Sequence, residues 1–269
     1  MPEAYEIKPP QSKSVLVGLP GSTREIAILH RPAETRPETP ALVWLGGYRS
    51  DMSGTKAIEM DALAAECGSE AIRFDYSGHG ASGGEFRDGT ISRWLEEALA
   101  VLDALKPTRL VLVGSSMGGW IALLLARELR RRGSPRLHGL ALIAPAPDFT
   151  SQLIEPHLTE DQRQALEDQG YFEEPSEYSP EPNIYTRALI EDGRANQVLK
   201  GIIETGCPVH ILQGMADPDV PYKHALTLME HLPADDVVLT LIRDGDHRLS
   251  RPQDLEKLRS ALATLINCD

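Results

Sequence analysis

The sequence is poor in cysteine, in basic side chains and in long hydrophobic runs, and each shortage excludes a class of protein. Its three cysteines, Cys67, Cys207 and Cys268, lie far apart without a C-x-x-C pair or a metal-ligand spacing. An odd, sparse set argues against a disulfide scaffold and a metal centre, and it favours a reducing compartment. Cys207 comes just before a predicted strand, so we expect a buried structural thiol there.

No apolar run approaches the roughly 20 residues that a bilayer-spanning helix needs. The longest candidate covers only residues 121–126. The first 14 residues carry charges and prolines rather than the apolar centre of a secretory signal. These features predict a chain without a transmembrane segment, located in the cytoplasm.

The chain has 27 basic and 40 acidic side chains, which gives a formal net charge of −13. A surface this acidic repels phosphate backbones and anionic lipid headgroups, so nucleic acid and charged membranes are not expected as partners. The chain also has no phosphate-cradling G-x-x-x-x-G-K-[ST] motif, and no cofactor is expected. The sequence does not indicate an oligomeric state.

Short β-branched runs alternate with longer helical patterns, which predicts an α/β fold with a mostly parallel sheet and crossover helices in a single domain, 1–269. A Pro-Gly turn after the first strand predicts an antiparallel hairpin at the sheet edge, and the strands from residue 41 onward look buried on both faces. Eight strands are predicted at 14–18, 25–29, 41–45, 71–74, 110–113, 139–143, 209–213 and 237–242. Five helices are predicted at 55–66, 91–105, 117–131, 222–230 and 252–266.

This alternation stops over residues 146–206, which hold many prolines and carboxylates and only fragments of helix. The T-x-x-Q pattern at 159–162 predicts a capping box that opens a short helix. A long interruption between two strands favours a small inserted cap over a bare loop. The alternative is a surface insertion without a role at the site.

The strongest local signal for chemistry is the G-x-S-x-G pattern at residues 114–118, centred on Ser116. An apolar run at 110–113 precedes it and another at 120–125 follows it, which is the strand–turn–helix context of a nucleophile elbow. We therefore predict Ser116 as the nucleophile. Ser115 lies one residue out of register, and a glycine-rich turn that happens to contain serine is the alternative.

A serine hydroxyl needs a base to accept its proton and an acid to orient that base. Asp217 and His247 each follow a predicted strand, in the chain order serine, aspartate, histidine. We predict His247 as the base and Asp217 as its acid. Asp219 remains an alternative acid, and the two aspartates directly before His247 are less suited because neighbours in sequence seldom reach the right ring nitrogen.

Acyl transfer also needs two N–H donors directed at the developing oxyanion. We predict the backbone N–H of Met117, next to the nucleophile, and that of Tyr48, which follows a Gly-Gly pair after a predicted strand. A flexible turn is the alternative reading of that pair. His79 lies in a turn after another strand, where we expect a structural role with Asp75 bonding loop amides, although His79 could also border the site.

Five segments together resemble a known family far more specifically than G-x-S-x-G alone: residues 47–57, 73–78, 113–120, 214–221 and 246–248. They look like the mitochondrial palmitoyl-protein thioesterases that also hydrolyse acyl glucuronides, within the α/β-hydrolase superfamily. The superfamily resemblance covers nearly the whole chain, and it implies an α/β-hydrolase fold with an eight-stranded sheet, flanking helices and an inserted cap.

The resemblance further implies an S-depalmitoylase that acts on S-acylated proteins through Ser116, Asp217, His247 and an acyl-enzyme. A small-molecule carboxylesterase or acyl-glucuronide esterase could use the same residues, and a binding module without turnover is a third possibility. An acyl pocket needs apolar lining. The candidates, each of which could equally be core, are Trp120, Phe149, Tyr171 and Phe172.

Overall fold

The computed structural model describes residues 8–34, 36, 38–134, 136–176, 181–234 and 236–268. The ends of the predicted domain 1–269, residues 1–7 and 269, lie outside the described residues. The strands of the described residues are β1 Gln11–Val17, β2 Arg24–Arg31, β3 Ala41–Leu45, β4 Ala71–Phe74, β5 Arg109–Ser115, β6 Arg136–Ile143, β7 Tyr171–Glu174, β8 Asn183–Thr186, β9 Val209–Gly214 and β10 Val237–Ile242. The α-helices of these residues are α1 Thr55–Glu66, α2 Ile91–Leu105, α3 Met117–Arg132, α4 Glu160–Asp168, α5 Arg187–Ala195, α6 Tyr222–Glu230 and α7 Pro252–Ile266.

Eight strands form one sheet in the order β1-β2-β4-β3-β5-β6-β9-β10. All neighbours from β4 to β10 pair in parallel, whereas β1 and β2 form an antiparallel hairpin at one edge and β2 pairs antiparallel with β4. The mostly parallel eight-stranded sheet and its edge hairpin are therefore confirmed. Within the described residues, none of the helices has the length and apolar character that crossing a membrane requires.

The expectation that all strands from residue 41 onward are buried on both faces is wrong for β10. Among the described residues, this strand pairs only with β9, so it forms the second edge of the sheet. Val238 and Leu241 are 45% and 39% exposed. The apolar residues of β10 suggested a central strand because β-branched composition reports strand propensity but not position in the sheet.

The hydrophobic core has one layer on each face of the sheet. Helices α2, α3 and α6 pack on one face, where Trp94 and Trp120 are fully buried. Helices α1 and α7 pack on the other face, over Trp44 and Met60. Covering both faces explains why β3, β4 and β5 read as nearly continuous apolar runs.

The cysteines correct the sequence-based expectation, because Cys67 and Cys268 form a disulfide. Cys67 caps the end of α1 and Cys268 follows α7. The two helices pack against each other, so residues 201 positions apart come within a Cα–Cα distance of 6.1 Å. Spacing along the chain does not reveal such a pairing. Cys207 is buried, as expected for a structural thiol.

Residues 146–206 connect β6 to its sheet neighbour β9 through elements of their own. Helix α4 begins with the predicted capping box, in which Thr159 and Gln162 bond each other's backbone N–H. The segment also holds α5, a π-helical turn at Thr150–Ile154 and an antiparallel hairpin of β7 with β8. The sequence did not predict this hairpin because its strands have only four residues each and contain few β-branched side chains.

Candidate active site

Ser116 lies in a sharp turn between β5 and α3, with φ 54° and ψ −118°. Its flanking glycines are sterically required. A Cβ at Gly118 would lie 2.0 Å from the backbone oxygen of Leu45, and one at Gly114 would lie 2.5 Å from that of Gly118. Strand and helix therefore approach each other too closely for any other residue, and the turn holds the serine in a strained backbone conformation.

The structure brings the three predicted catalytic side chains together in one hydrogen-bonded chain. Ser116 Oγ lies 3.1 Å from Nε2 of His247. On the other side of the ring, Nδ1 of His247 lies 2.8 Å from Oδ2 of Asp217. The arrangement suits an imidazole that donates from Nδ1 to the carboxylate and accepts the serine proton at Nε2.

The carboxylate of Asp217 is fully buried and has all its acceptor positions filled. Oδ1 accepts the backbone N–H groups of Asp219 at 2.9 Å and Val220 at 2.8 Å. Oδ2 accepts the side-chain N–H of Gln213 at 3.1 Å in addition to His247. A buried carboxylate with four donors keeps a fixed orientation, and so can hold the imidazole in place.

The alternative acids make other hydrogen bonds, and of these acids Asp219 lies nearest, with a carboxylate oxygen within 4.8 Å of a His247 ring nitrogen. Asp219 lines the cavity and offers Asp217 its backbone N–H. Asp244 pairs with Arg251 at 2.8 Å, and Asp246 accepts the backbone N–H of Leu249 at 2.9 Å. Geometry therefore selects Asp217 as the partner of the His247 ring.

Ligand atoms of Asp217, Asp219 and His247 lie within 4.8 Å of one another, a spacing that could hold a metal ion. The residues do not fit one. A carboxylate has about four lone-pair positions, and N–H groups occupy those of Asp217. The trio is thus better suited to proton transfer than to metal binding.

Both predicted oxyanion donors border the serine. Met117 is the first residue of α3, where backbone N–H groups have no partner within the helix. The loop after β3 lies directly on the nucleophile, since a Cβ at Gly47 would be 3.3 Å from Cβ of Ser116. Tyr48 follows this glycine and, like Met117, lines the cavity at Ser116.

His79 supports the loop after β3 through a hydrogen bond to its backbone. Its Nε2 accepts the backbone N–H of Arg49 at 3.2 Å, and its Nδ1 lies 3.1 Å from the carbonyl oxygen of Ser77. Burial lowers the pKa of His79 to about 4, so the ring is neutral at pH 7 and remains an acceptor. Its role is structural, and the loop it holds includes Tyr48.

Asp75 anchors the same region, as expected from the sequence. Its carboxylate accepts the backbone N–H of Met52 at 2.6 Å and that of Ala81 at 2.8 Å. These bonds join the loop after β3 to the turn after β4. Burial raises the pKa of Asp75, and the two backbone donors oppose that rise.

One cavity of about 610 Å³ contains Ser116 and His247. Residues from the loop after β3, the start of α1, residues 146–185 and the loops after β9 and β10 line it. The remaining lining side chains include Trp44, Arg49, Lys56, Phe149, Leu153, Ile154, Tyr185, Asp219 and Arg248.

Phe149 lines this cavity, but two of the predicted pocket aromatics lie one layer behind it. Trp120 is fully buried, packs edge-on against Phe149 at 5.6 Å and donates its Nε1 hydrogen to the backbone oxygen of Asn196. Phe172 is buried against Tyr185 at 5.2 Å. Both residues support the wall rather than form it, because both are buried and neither lines the cavity.

The prediction for Tyr171 also needs correction. The guanidinium of Arg87 lies 4.1 Å above its ring, away from the cavity lining. Tyr185, Leu153 and Ile154 take the place of the predicted aromatics. Sequence reasoning missed them because they lie on β8 and on the π-helical turn, neither of which has a strong periodic signal.

Comparisons with known proteins agree with this architecture. The profile of the family described as "Alpha/beta hydrolase family" matches residues 39–258. A solved structure of a hydrolase-like protein from Agrobacterium vitis S4 is 68% identical, with a TM-score of 0.93, over 96% of this chain and all of that one.

Two comparisons point to one mouse protein. "Palmitoyl-protein thioesterase ABHD10, mitochondrial" from Mus musculus is 31% identical over 234 residues, which cover 86% of this chain and 76% of that protein. The solved structure of mouse alpha/beta hydrolase domain-containing protein 10 is 28% identical with a TM-score of 0.81, over 95% of this chain and 98% of that one.

Proposed function

The chain belongs to the alpha/beta hydrolase family and is a serine hydrolase, and we propose that it cleaves acyl esters or thioesters with Ser116 as nucleophile, His247 as base and Asp217 as orienting acid. The observation that carries the proposal is the continuous chain from Ser116 Oγ through the His247 ring to Asp217. In this proposal, residues 146–206 form a cap within a single domain.

The first half-reaction forms the acyl-enzyme. Nε2 of His247 takes the proton of Ser116 while Oγ attacks the carbonyl carbon of the substrate. The N–H groups of Met117 and Tyr48 hold the oxygen that becomes negative. When the tetrahedral intermediate collapses, the bond to the thiol or alcohol breaks, and His247 returns the proton to that leaving group.

The second half-reaction regenerates the enzyme. Water gives a proton to His247 and attacks the acyl carbon, and the same two N–H groups again hold the oxyanion. The bond to Ser116 then breaks as its oxygen regains the proton from His247. The overall products are a carboxylic acid and a free thiol or alcohol.

Within this class we propose S-acylated proteins as the substrate, which makes the enzyme an S-depalmitoylase. The similarity to the mouse palmitoyl-protein thioesterase supports this choice. Apolar side chains of the proposed cap, namely Phe149, Leu153, Ile154 and Tyr185, offer an acyl chain a surface next to Ser116. A cytoplasmic location stays a prediction. The Cys67–Cys268 disulfide removes the support that sparse cysteines gave to this location, and the mouse relative is named as a mitochondrial protein.

A small-molecule carboxylesterase, including an acyl-glucuronide esterase, is the second candidate. The observation that favours it is the polar part of the cavity, to which Lys56, Arg248 and Ser250 contribute. A binding module without turnover is disfavoured because the proton relay is complete. Labelling of folded protein with a fluorophosphonate separates these cases, since a binding module would form no adduct at Ser116.

The decisive experiment compares kcat/KM for matched thioesters and oxoesters from acetyl to palmitoyl, with Ser116→Ala as the blank. A preference for long-chain thioesters supports the depalmitoylase. A preference for short oxoesters, with palmitoyl compounds barely turned over, supports the small-molecule esterase instead. Equal turnover by Ser116→Ala and wild type would contradict the serine mechanism.

A further inference from the structure

Four apolar side chains of residues 146–206 line the cavity, and three of them come from one short segment. Phe149, Leu153 and Ile154 lie in or directly before the π-helical turn between β6 and α4. The fourth, Tyr185, comes from the β7–β8 hairpin. We call these four side chains the acyl surface. Because a single π-helical turn is rare, the position of most of the acyl surface depends on what holds this turn.

Asp148 directs the chain into the π-helical turn. Its φ of 55° lies in the left-handed region, which is uncommon for a residue with a side chain. Its backbone oxygen accepts the N–H groups of Ser151 at 3.0 Å and Gln152 at 2.9 Å, so the turn begins on this residue. A strained backbone persists only where the surrounding structure holds it, which draws attention to the contacts of the Asp148 side chain.

The carboxylate of Asp148 is fully buried and joins the two ends of residues 146–206. Oδ1 accepts the backbone N–H of Val198 at 2.8 Å, and Oδ2 accepts that of Leu199 at 2.9 Å. We call these two hydrogen bonds the Asp148 clasp. Burial raises the pKa of Asp148, and the two backbone donors oppose that rise. Hydrogen bonds to a charged acceptor are strong, so the clasp fixes the start of the inserted segment against its end.

Both sides of the Asp148 clasp are attached to the framework. On one side, Nε2 of His224, a residue of α6, lies 2.8 Å from the backbone oxygen of Pro147. On the other side, the side chains of Val198 and Leu199 pack against the hydrophobic core. The clasp therefore fixes the π-helical turn relative to the sheet as well as within the inserted segment.

A second contact links the same two ends. Gln197 donates its side-chain N–H to Oγ of Ser151 at 2.6 Å. With the turn held in this way, the ring centroid of Phe149 lies 5.6 Å from that of Trp120 and 5.9 Å from that of Tyr48. Phe149 thus has a fixed place in the cavity wall, beside the residue that we expect to supply an oxyanion donor.

The two parts of the acyl surface are held differently. Tyr185 belongs to a hairpin whose ion pair with the framework, Arg87 with Glu173, is exposed. The other three side chains depend on the buried Asp148 clasp. An acetyl group ends close to the nucleophile, whereas a longer acyl chain has to extend along the apolar wall.

We propose that Asp148 is a positioning residue for long acyl chains. Its clasp holds Phe149, Leu153 and Ile154 in the cavity wall and so sets the preference for long over short acyl groups. This inference rests on the proposed function, because it concerns the acyl half of the substrate that Ser116 attacks.

The test compares the acetyl and octanoyl thioesters of one neutral thiol, N-acetylcysteamine. Each methylene that the wall buries should raise kcat/KM roughly fourfold. We therefore expect the wild type to prefer the octanoyl thioester. The quotient of the two kcat/KM values, which we call the chain-length ratio, measures how well the wall is formed.

Asp148→Asn keeps the size of the side chain, and asparagine tolerates the left-handed conformation. The amide replaces one acceptor oxygen by an NH₂ group, which cannot accept the N–H of Val198 or Leu199. We expect the chain-length ratio to fall roughly tenfold, as for the loss of one to two buried methylenes, through a higher KM for the octanoyl thioester. Asp168→Asn, at an exposed aspartate on α4, is the matched control and should leave the ratio unchanged.

Two readouts distinguish positioning from a purely structural role. Loss of stability alone would reduce the amount of active enzyme, and with it kcat, for both thioesters alike, so the chain-length ratio would stay constant. Hydrogen exchange reports on the clasp directly, since the amide hydrogens of Val198 and Leu199 should exchange roughly tenfold faster in Asp148→Asn. If Asp148→Asn does not fold, Ser151→Ala takes its place. It removes the acceptor of Gln197 and should lower the ratio a few-fold.

Two results overturn the inference: a wild type that does not prefer the octanoyl thioester, or a chain-length ratio that Asp148→Asn, or Ser151→Ala in its place, retains in full. Calorimetric binding of both thioesters to Ser116→Ala separates this failure from failure of the proposed function. If no thioester is hydrolysed but adding Asp148→Asn to Ser116→Ala weakens octanoyl binding, the hydrolase proposal fails and the positioning role stands. If both thioesters are hydrolysed and the chain-length ratio does not change, the reverse holds.

Discussion

The sheet framework and residues 146–206 are built in different ways. In the framework, Ser116, Asp217 and His247 follow three strands of one sheet, and α3 packs the serine turn against a buried core. The inserted segment instead consists of short elements whose hairpin reaches the framework through surface ion pairs and hydrogen bonds. These links are Arg87 with Glu173, Arg49 with Glu181, and Tyr48 with Ile184.

This difference separates chemistry from recognition. Exposed ion pairs contribute little free energy, so the sequence of the β7–β8 hairpin can change with little disturbance of the framework. The proton relay tolerates almost no displacement, since proton transfer requires hydrogen-bond distance. We therefore expect substitutions in the framework to affect turnover of all substrates, and substitutions in residues 146–206 to affect the choice of acyl chain.

The largest expected effect comes from replacing Asp217 by asparagine. An amide can donate as well as accept, so it no longer holds His247 in the tautomer that takes the serine proton, and we expect kcat to fall roughly 10⁴-fold. Asp219→Asn is the matched control, because the hydrogen bond from Asp219 to Asp217 is donated by its backbone N–H, which the substitution keeps. Equal losses in the two variants, measured by steady-state kinetics, would contradict the assignment of Asp217.

The second prediction compares glycines from the two regions. Gly118→Ala places a Cβ 2.0 Å from the backbone oxygen of Leu45, and we expect at least about 3 kcal/mol of lost stability from overpacking. Gly201→Ala, in the inserted segment, meets no atom within 4 Å and should change stability by less than about 1 kcal/mol. Urea unfolding of both variants measures the difference, and similar losses would show that the close packing at Gly118 can relax.

The third prediction concerns pH and the loop that contains Tyr48. The folded pKa of His79 lies at about 4, below its ordinary 6.5, so between these values the unfolded chain binds a proton that the folded one does not. Stability from the neutral ring is present above pH 6.5 and is lost as the pH falls toward 4. Relative to His79→Gln, the wild type should lose roughly 2 kcal/mol between pH 7 and pH 5.

Urea unfolding of both proteins at several pH values isolates the contribution of His79, because the other histidines titrate in both. Parallel pH profiles would refute the buried neutral ring. A separate His79→Leu variant should also lower kcat several-fold while leaving KM nearly constant, since the backbone N–H of Arg49 then loses its acceptor and Tyr48 is held less firmly.

The smallest expected effect lies at the junction of the two regions. The hydroxyl of Tyr48 donates to the backbone oxygen of Ile184, and its ring stacks on Tyr185 at 5.5 Å. Tyr48→Phe keeps the stacking and removes the hydrogen bond, so we expect about 1 kcal/mol of lost stability and a few-fold lower kcat/KM on long acyl chains. Tyr171→Phe, outside the cavity lining, is the control. Equal effects on acetyl and palmitoyl substrates would argue against coupling between loop and hairpin.

Local patterns predicted the framework well. The bounds of β3, β4, α1, α2, α6 and α7 match the predicted ones, because buried strands and amphipathic helices leave a periodic signal. The turn at Ser116 could be predicted because Gly114 and Gly118 lie where a Cβ atom would clash with the backbone. The order of Ser116, Asp217 and His247 along the chain also anticipated which side chains the structure brings together.

Features that depend on packing between distant segments could not be predicted in this way. The edge position of β10 follows from sheet order, and the Cys67–Cys268 pairing follows from how α1 and α7 pack. Tyr185 reaches the cavity through a short hairpin without a periodic pattern. The prediction that Trp120 and Phe172 line the pocket was wrong for a related reason. Apolar composition does not distinguish a residue of the cavity wall from one in the layer behind it.

The disulfide between Cys67 and Cys268 closes most of the chain into a covalent ring, and residues 146–206 form part of that ring. A protease that cuts the ring once therefore linearises it but does not divide the protein. On a denaturing gel, such a nicked enzyme would migrate as one species until a reductant separates its two fragments. A single cut in residues 146–206 would thus leave both parts of the protein covalently joined.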